Sequence, residues 1–191
     1  METNKPKAII ICAPSGAGKS TITSNVMSQS SNFSFSVSGT TRIKRPGEVD
    51  GKNYHFFSES EFKDKIARGD FVEYEEYCGN LYGTLKSEIE RLHNEGKVIF
   101  FDVEVRGAAS LKKYFGRDAL VIFIYVPLDV LEQRLRLRNT ETEESLRERL
   151  AIAKKEMLKI KDADVVIENI DLEKAINETK TAVIDFLSTS H

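Results

Sequence analysis

Lys7-Ala8-Ile9-Ile10-Ile11-Cys12-Ala13-Pro14-Ser15-Gly16-Ala17-Gly18-Lys19-Ser20-Thr21 is the stretch that decides the fold. An apolar strand runs into a turn of small residues, and Lys-Ser-Thr opens a helix. That is the layout of a phosphate-binding loop. Polyphosphate needs many donors at close range. Small residues let backbone N–H groups approach it, and the helix N-terminus adds positive potential. In such a loop Lys19 reaches the β- and γ-phosphates, and the Ser20 hydroxyl is a magnesium ligand. Ala13 holds the place where the pattern begins with glycine, and alanine fits there at negative φ. Ala13, Pro14, Ser15, Gly16, Ala17, Gly18, Lys19, Ser20 and Thr21 are therefore the candidate cradle. The alternative is a plain glycine turn between strand and helix.

Outward from this loop, strand and helix alternate at both ends of the chain. Strands are expected at 7–12, 35–37, 97–103, 119–126 and 164–168, several of them continuous apolar runs. Such runs suit strands buried on both faces of a parallel sheet. Helices are expected at 20–28, 105–114, 128–138, 145–161 and 172–187, the last after Asp171, a good N-cap. The fold class is α/β: a doubly wound parallel sheet core. Between Ser38 and Gly96 the pattern changes to short alternating segments, 54–57 and 71–77, dense in aromatics. Ser58 and Glu61 form a capping box before a short helix carrying Phe62 and Ile66. A helix over 86–95 returns to the core and stops at Gly96. The expected organisation is a core of residues 1–37 and 97–191 with an inserted, largely β, small mixed lobe at 38–96. The tail 188–191 is expected to fray.

The inserted stretch carries Thr40-Thr41-Arg42-Ile43-Lys44-Arg45-Pro46-Gly47-Glu48, with two arginines three residues apart at a turn. Arginine grips a phosphate monoester bidentately and does not lose its charge. Tyr54 and Tyr82 offer hydroxyl donors to the same group. A second anion site beside a phosphate loop points to a phosphorylated acceptor; a solvated basic turn is the competing reading. Further arginines stand at Arg134, Arg136, Arg138, Arg147 and Arg149, and Arg134 and Arg138 share a helix face. The polar run between the two groups reads as a hinged lid over about 139–149, carrying cations to the transferring phosphoryl group. An exposed helix pair laced with surface ion pairs reads the same residues differently. The strand 97–103 ends in Asp102, which puts a carboxylate beside the phosphate loop, able to orient metal-bound water. Glu104 alternates with it, so both are expected on one side unless one of them caps the following helix.

Composition agrees with an enzyme of small substrates. With 28 basic and 30 acidic residues, no excess of positive charge calls for a nucleic-acid polymer. The two cysteines, Cys12 and Cys78, are far apart and support neither a disulfide framework nor a zinc site. No apolar run approaches a membrane span, and no signal peptide is evident, so a cytoplasmic protein without membrane contact is expected. His55, His93 and His191 are dispersed.

The phosphate loop, Ser36-Val37-Ser38-Gly39-Thr40-Thr41-Arg42, Arg45-Pro46-Gly47-Glu48, Asp50-Gly51-Lys52-Asn53-Tyr54, the turn Gly79-Asn80-Leu81-Tyr82-Gly83-Thr84 and Asn139-Thr140-Glu141-Thr142-Glu143 occur in one order. Together they resemble the guanylate kinases, nucleoside monophosphate kinases of the P-loop NTPase fold that make GDP from GMP and ATP in purine nucleotide metabolism. The resemblance implies ATP and GMP, with dGMP, as substrates and Mg²⁺ as the accompanying ion. It implies GMP-phosphate contacts at Arg42, Arg45, Tyr54 and Tyr82, and guanine contacts at Ser38, Glu73, Thr84 and Glu104. ATP falls on the phosphate loop, Arg134, Arg138 and Asn169. The implied catalytic set is Lys19, Arg42, Arg138, Arg149 and Asp102, with Ser20 and Asp102 toward the metal. Glu104 stands where the family usually has Asp, and Asn139 where Gly is common. A monomer or small homo-oligomer is expected.

Guanine presents N1–H and an exocyclic amine side by side, and one carboxylate such as Glu73 accepts from both. Adenine offers an acceptor at N1 and would oppose it, so such a site discriminates strongly. Ser38 and Thr84 supply donors for O6 and N7. The expected mechanism is direct in-line transfer without a covalent intermediate. Two other readings stay open: a phosphopeptide-binding module of the same family, and a kinase of the same fold acting on a phosphorylated sugar or another nucleotide.

Overall fold

A computed structural model describes residues 5–77, 79–137 and 142–189. In chain order the elements are β1 (Ala8–Cys12), α1 (Lys19–Met27), β2 (Phe33–Phe35), β3 (Gly39–Thr40), β4 (His55–Phe56), α2 (Glu59–Arg68), β5 (Phe71–Tyr77), β6 (Asn80–Leu85) and α3 (Lys86–Asn94). Then follow β7 (Val98–Asp102), α4 (Val105–Phe115), β8 (Ala119–Tyr125), α5 (Leu128–Leu137), α6 (Glu143–Met157), β9 (Val165–Glu168) and α7 (Leu172–Ser188).

A five-stranded parallel sheet has the order β2-β7-β1-β8-β9. Its central strands β1 and β8 are continuous buried apolar runs because both faces are covered. On β1, Ile9 and Ile11 pack with Ile22 and Val26 of α1, Leu131 and Leu135 of α5, and Ala175 and Val183 of α7. Ala8, Ile10 and Cys12 point the other way, into a cluster with Leu92 of α3 and Leu111 and Phe115 of α4. This period-two split of a continuous apolar run is what a doubly covered sheet requires. The second sheet has four strands, β4-β3-β6-β5, with both parallel and antiparallel pairs. Its small core is Phe62, Phe71 and Leu85, with the Phe62 and Phe71 rings stacked at 4.4 Å.

Register positions the site. Ile11 of β1 pairs with Asp102 of β7, so the strand feeding the phosphate loop lies beside the strand ending in a carboxylate. The site thus opens at the carboxyl ends of parallel strands, where doubly wound sheets bind ligands.

Several boundaries differ from expectation. The strand expected at 35–37 is Phe33–Phe35, because Phe33 pairs with Val98 of β7; Ser36 N–H continues the ladder to the Phe100 carbonyl at 2.9 Å. The helix expected from residue 145 starts at Glu143, since the Thr142 hydroxyl caps it by accepting from Ser145 N–H, and it ends at Met157 rather than 161. The Gly79–Thr84 stretch is a turn only at Gly79, with φ of +73°; from Asn80 it is strand β6, which joins β3 to β5. The capping box at Ser58 and Glu61 is present in both directions, and Gly96 follows α3 at φ +68°. Arg138 and Asn139 lie outside the described residues.

Candidate active site

The phosphate loop turns on two left-handed glycines, Gly16 at φ +93° and Gly18 at φ +87°. Gly18 stands at the N-cap of α1. A Cβ on Gly18 would sit 2.5 Å from the Asn169 side-chain amide, so glycine is required by space as well as by φ. Asn169 is buried beyond β9, and its amide donates to the Ala17 carbonyl at 2.7 Å. The Arg134 guanidinium donates to the Asn169 carbonyl at 2.8 Å. Gly16, Gly18, Thr21, Arg134 and Asn169 share one shallow cleft of about 290 Å³. From α6, Arg149 donates to the Ser15 hydroxyl at 3.1 Å. Ala13 and Pro14 are buried beneath the loop, and Ser20 and Thr21 are exposed in the first turn of α1.

Lys19 crosses from this loop toward β7. Its ammonium pairs with the Asp102 carboxylate and donates to the Val103 carbonyl at 3.2 Å. Burial works against its charge, but Asp102 and Glu104 together outweigh burial and raise its pKa above the ordinary lysine value. The ammonium is therefore cationic at neutral pH.

Beyond Asp102 a larger cleft of about 490 Å³ opens between the two sheets. Ser38, Tyr54, Glu73, Tyr82, Asp102 and Glu104 of the expected set all line it. Asp102 ends β7 and Glu104 takes the N-cap position of α4, without a capping bond from its side chain. Glu73 is held on one side by a hydrogen bond and closely approached on the other by a glycine. The buried Thr84 hydroxyl donates to its Oε1 at 2.6 Å. A Cβ on Gly107, in the first turn of α4, would stand 3.0 Å from its Oε2. Burial raises the Glu73 pKa, with the Thr84 hydrogen bond acting against the rise and Glu75 adding to it. Thr84 is thus bonded to the carboxylate rather than presented to the cleft as a separate donor.

The arginine turn lies beside the tyrosines. Arg42 sits over the Tyr54 ring at 5.3 Å, and the Tyr54 and Tyr82 rings meet edge to face at 6.0 Å. Burial, with Tyr82 and Asp102 nearby, raises the Tyr54 pKa, so its hydroxyl stays a donor. The Arg45 side chain is exposed.

Three carboxylates near the cleft were not anticipated. Glu75 lines it and shares a strand face with Glu73, which period-two spacing along β5 signals. Its Oε1 is buried with no hydrogen-bond partner among the described residues. Burial raises the Glu75 pKa, and Glu104 raises it further. Glu156, from the last turn of α6, is raised by burial and by its hydrogen bond with Glu104. Glu48 clasps Arg42. No short-range signal marks Glu156, because it reaches Glu104 only through tertiary packing. Ser36, Lys52 and Asn53 also line the cleft.

Comparison with known proteins agrees with this geometry. The guanylate kinase family model matches residues 5–185. A guanylate kinase of Salinibacter ruber is 46% identical over 183 residues, spanning 95% of this chain and 97% of that protein. A guanylate kinase of Sus scrofa is 45% identical, spanning 93% and 92%. The crystal structure of guanylate kinase from Anaplasma phagocytophilum superimposes with a TM-score of 0.71 at 27% identity, covering 97% of this chain and 86% of that one. With a phosphate loop facing a second sheet across a carboxylate-lined cleft, and likeness along nearly its whole length, the chain belongs to the guanylate kinase family.

Proposed function

We propose that this chain transfers the γ-phosphoryl group of ATP to the phosphate of GMP, and of dGMP, giving GDP or dGDP and ADP. One observation carries the reading. A single cleft is lined by the carboxylates of Glu73 and Glu104 and by the hydroxyls of Tyr54 and Tyr82, with Arg42 stacked on Tyr54. Paired acceptors suit the N1–H and amino group of guanine, and an arginine with phenols suits a phosphate monoester.

Arg42, Arg45, Tyr54 and Tyr82 hold the acceptor phosphate in this reading. Glu73 accepts from the base, with Ser38, Thr84 and Glu104 around it. The phosphate loop holds ATP, and Asn169 and Arg134 stand on the adenine side. Lys19 stabilises charge on the migrating group, joined by Arg149 and by Arg138. An oxygen of the GMP phosphate attacks the γ-phosphorus in line, and ADP leaves. The attacking oxygen is already anionic, so no strong base is needed. Catalysis is positioning plus charge neutralisation.

The donors fit Mg²⁺. Ser20 and Asp102 offer hard oxygens, and among the described residues no three His, Cys, Asp or Glu gather into a protein-only metal cage. Magnesium is usually held by one or two protein oxygens together with substrate phosphates and water. When bound, it supplies neutralisation of the phosphate charge. Among the described residues no helix is long and apolar enough to cross a membrane.

The test is ADP formation from MgATP with GMP, dGMP, AMP, CMP and UMP supplied separately. Fast turnover confined to the guanine nucleotides is expected. Equal rates with all acceptors overturn the guanine assignment, and no ADP with any of them favours a binding module.

A further inference from the structure

We propose that Glu48 is a positioning residue that presets both phosphate-binding arginines; this rests on the reading of Arg42 and Arg45 as ligands of the GMP phosphate. The Glu48 carboxylate grips the outer edge of the Arg42 fork. Arg42 Nη2 donates to Glu48 Oε1 at 2.7 Å, and Arg42 Nη1 donates to Glu48 Oε2 at 3.1 Å. The second Nη1 hydrogen goes to the Ile43 carbonyl at 2.9 Å. The hydrogens that neither partner engages are Nε–H and the second on Nη2. In a planar guanidinium these lie side by side, on the one edge still able to take a phosphate bidentately.

The same carboxylate fixes the other arginine through its backbone. Arg45 N–H donates to Glu48 Oε2 at 2.8 Å, and Glu48 N–H returns to the Arg45 carbonyl at 3.1 Å. Little else holds this turn. Ile43 is 87% exposed, Lys44, Arg45 and Pro46 are exposed, and a Cβ on Gly47 would meet no atom within 4 Å. Yet the side chains of Arg42 and Glu48 are only 14% and 18% exposed. A turn without a core is thus pinned by one partly buried ion pair.

Two effects of Glu48 oppose each other. Its charge weakens the attraction of Arg42 for a phosphate dianion. Its grip removes the conformational freedom that a long cationic side chain otherwise loses on binding, which is preorganisation. Because Glu48 occupies the edge turned away from the phosphate and also seats Arg45, the second effect outweighs the first. The sign of the mutational effect therefore decides the matter.

The experiment measures KM for GMP and for MgATP, kcat, and calorimetric affinity for GMP and for guanosine, in Glu48→Ala, Glu48→Gln and Arg42→Lys. Loss of preorganisation in Glu48→Ala is expected to raise KM for GMP about tenfold, with KM for MgATP within about twofold and guanosine affinity unchanged. Glu48→Gln keeps one acceptor for the fork and is expected about threefold above wild type. An unchanged or lowered KM for GMP overturns the proposal by making Glu48 a bystander or a competitor. A parallel loss of guanosine or MgATP binding overturns it by making Glu48 merely structural. Should Glu48→Ala fail to fold, the isosteric Glu48→Gln decides the same question. If Arg42→Lys leaves the preference for GMP over guanosine intact, the underlying phosphate assignment fails; if that preference falls while the Glu48 variants behave as wild type, only the Glu48 proposal fails.

Discussion

Replacing Glu73 with glutamine keeps the shape of the side chain and removes its charge and one acceptor. The surroundings restrict how the amide can respond. Thr84 donates to Oε1 at 2.6 Å, and Gly107 leaves Oε2 no spare room on the α4 side. Two orientations remain. With its oxygen toward Thr84, the amide opposes its own N–H₂ to the N1–H and amino group of guanine. With the oxygen toward the cleft, the Thr84 hydroxyl turns to accept, and a single neutral acceptor serves both guanine donors. The second costs less and still forfeits one charge-assisted bond, worth roughly 1.5–3 kcal/mol. At about 1.4 kcal/mol per factor of ten, kcat/KM for GMP falls between roughly tenfold and a hundredfold. AMP, whose N1 can accept from the amide, loses less or gains slightly. Acidity provides a second readout. Burial holds the Glu73 pKa above the ordinary carboxylate value, so protonation should weaken GMP binding at a higher pH than for an exposed carboxylate, and the glutamine variant should lack that limb. The linkage to stability has the opposite sign. A carboxylate whose folded pKa is raised contributes stability below its unfolded pKa and loses it as pH rises through the folded value. Near neutral pH the variant should therefore be at least as stable as wild type while being less active. Steady-state kinetics with GMP and AMP across pH, with thermal melts, test this. An unchanged preference for GMP over AMP would refute the reasoning, since Glu73 would then not read the base.

If Lys19 stabilises the migrating phosphoryl group as proposed, Lys19→Met should leave a folded protein with kcat lower by about a hundredfold or more; calorimetry should find GMP affinity retained, and wild-type turnover would disprove the role. Gly107→Ala puts a Cβ 3.0 Å from Glu73 Oε2 and should raise KM for GMP several-fold with KM for MgATP unaltered, whereas equal changes in both constants would point to general damage. Phe62→Ala removes the fully buried centre of the second sheet's core and should cost about 3–5 kcal/mol, read by denaturant unfolding; a loss below about 1 kcal/mol would mean that this small core does not stabilise the sheet.

Features decided within a few residues were legible in the chain alone. The phosphate loop, the capping box at Ser58 and Glu61, the stop at Gly96 and the apolar strands of the main sheet all follow from steric and hydrogen-bonding preferences that operate locally. The end of a strand at Asp102 was legible in the same way. Other features depend on partners distant in sequence. The start of β2 is set by Val98 opposite Phe33, and Asn80–Leu85 is a strand because β3 and β5 flank it. The stance of each candidate side chain is likewise set by packing. Lys19 lies on Asp102 because β1 and β7 are neighbours. Arg134 turns to the Asn169 carbonyl, and Arg149 reaches Ser15. Glu156 comes against Glu104 through the placement of α6. Sequence determines which groups are available and the local shapes that carry them. Only tertiary structure decides which groups meet, because meeting depends on strand order, helix packing and the desolvation that results, and none of these has a short-range signature.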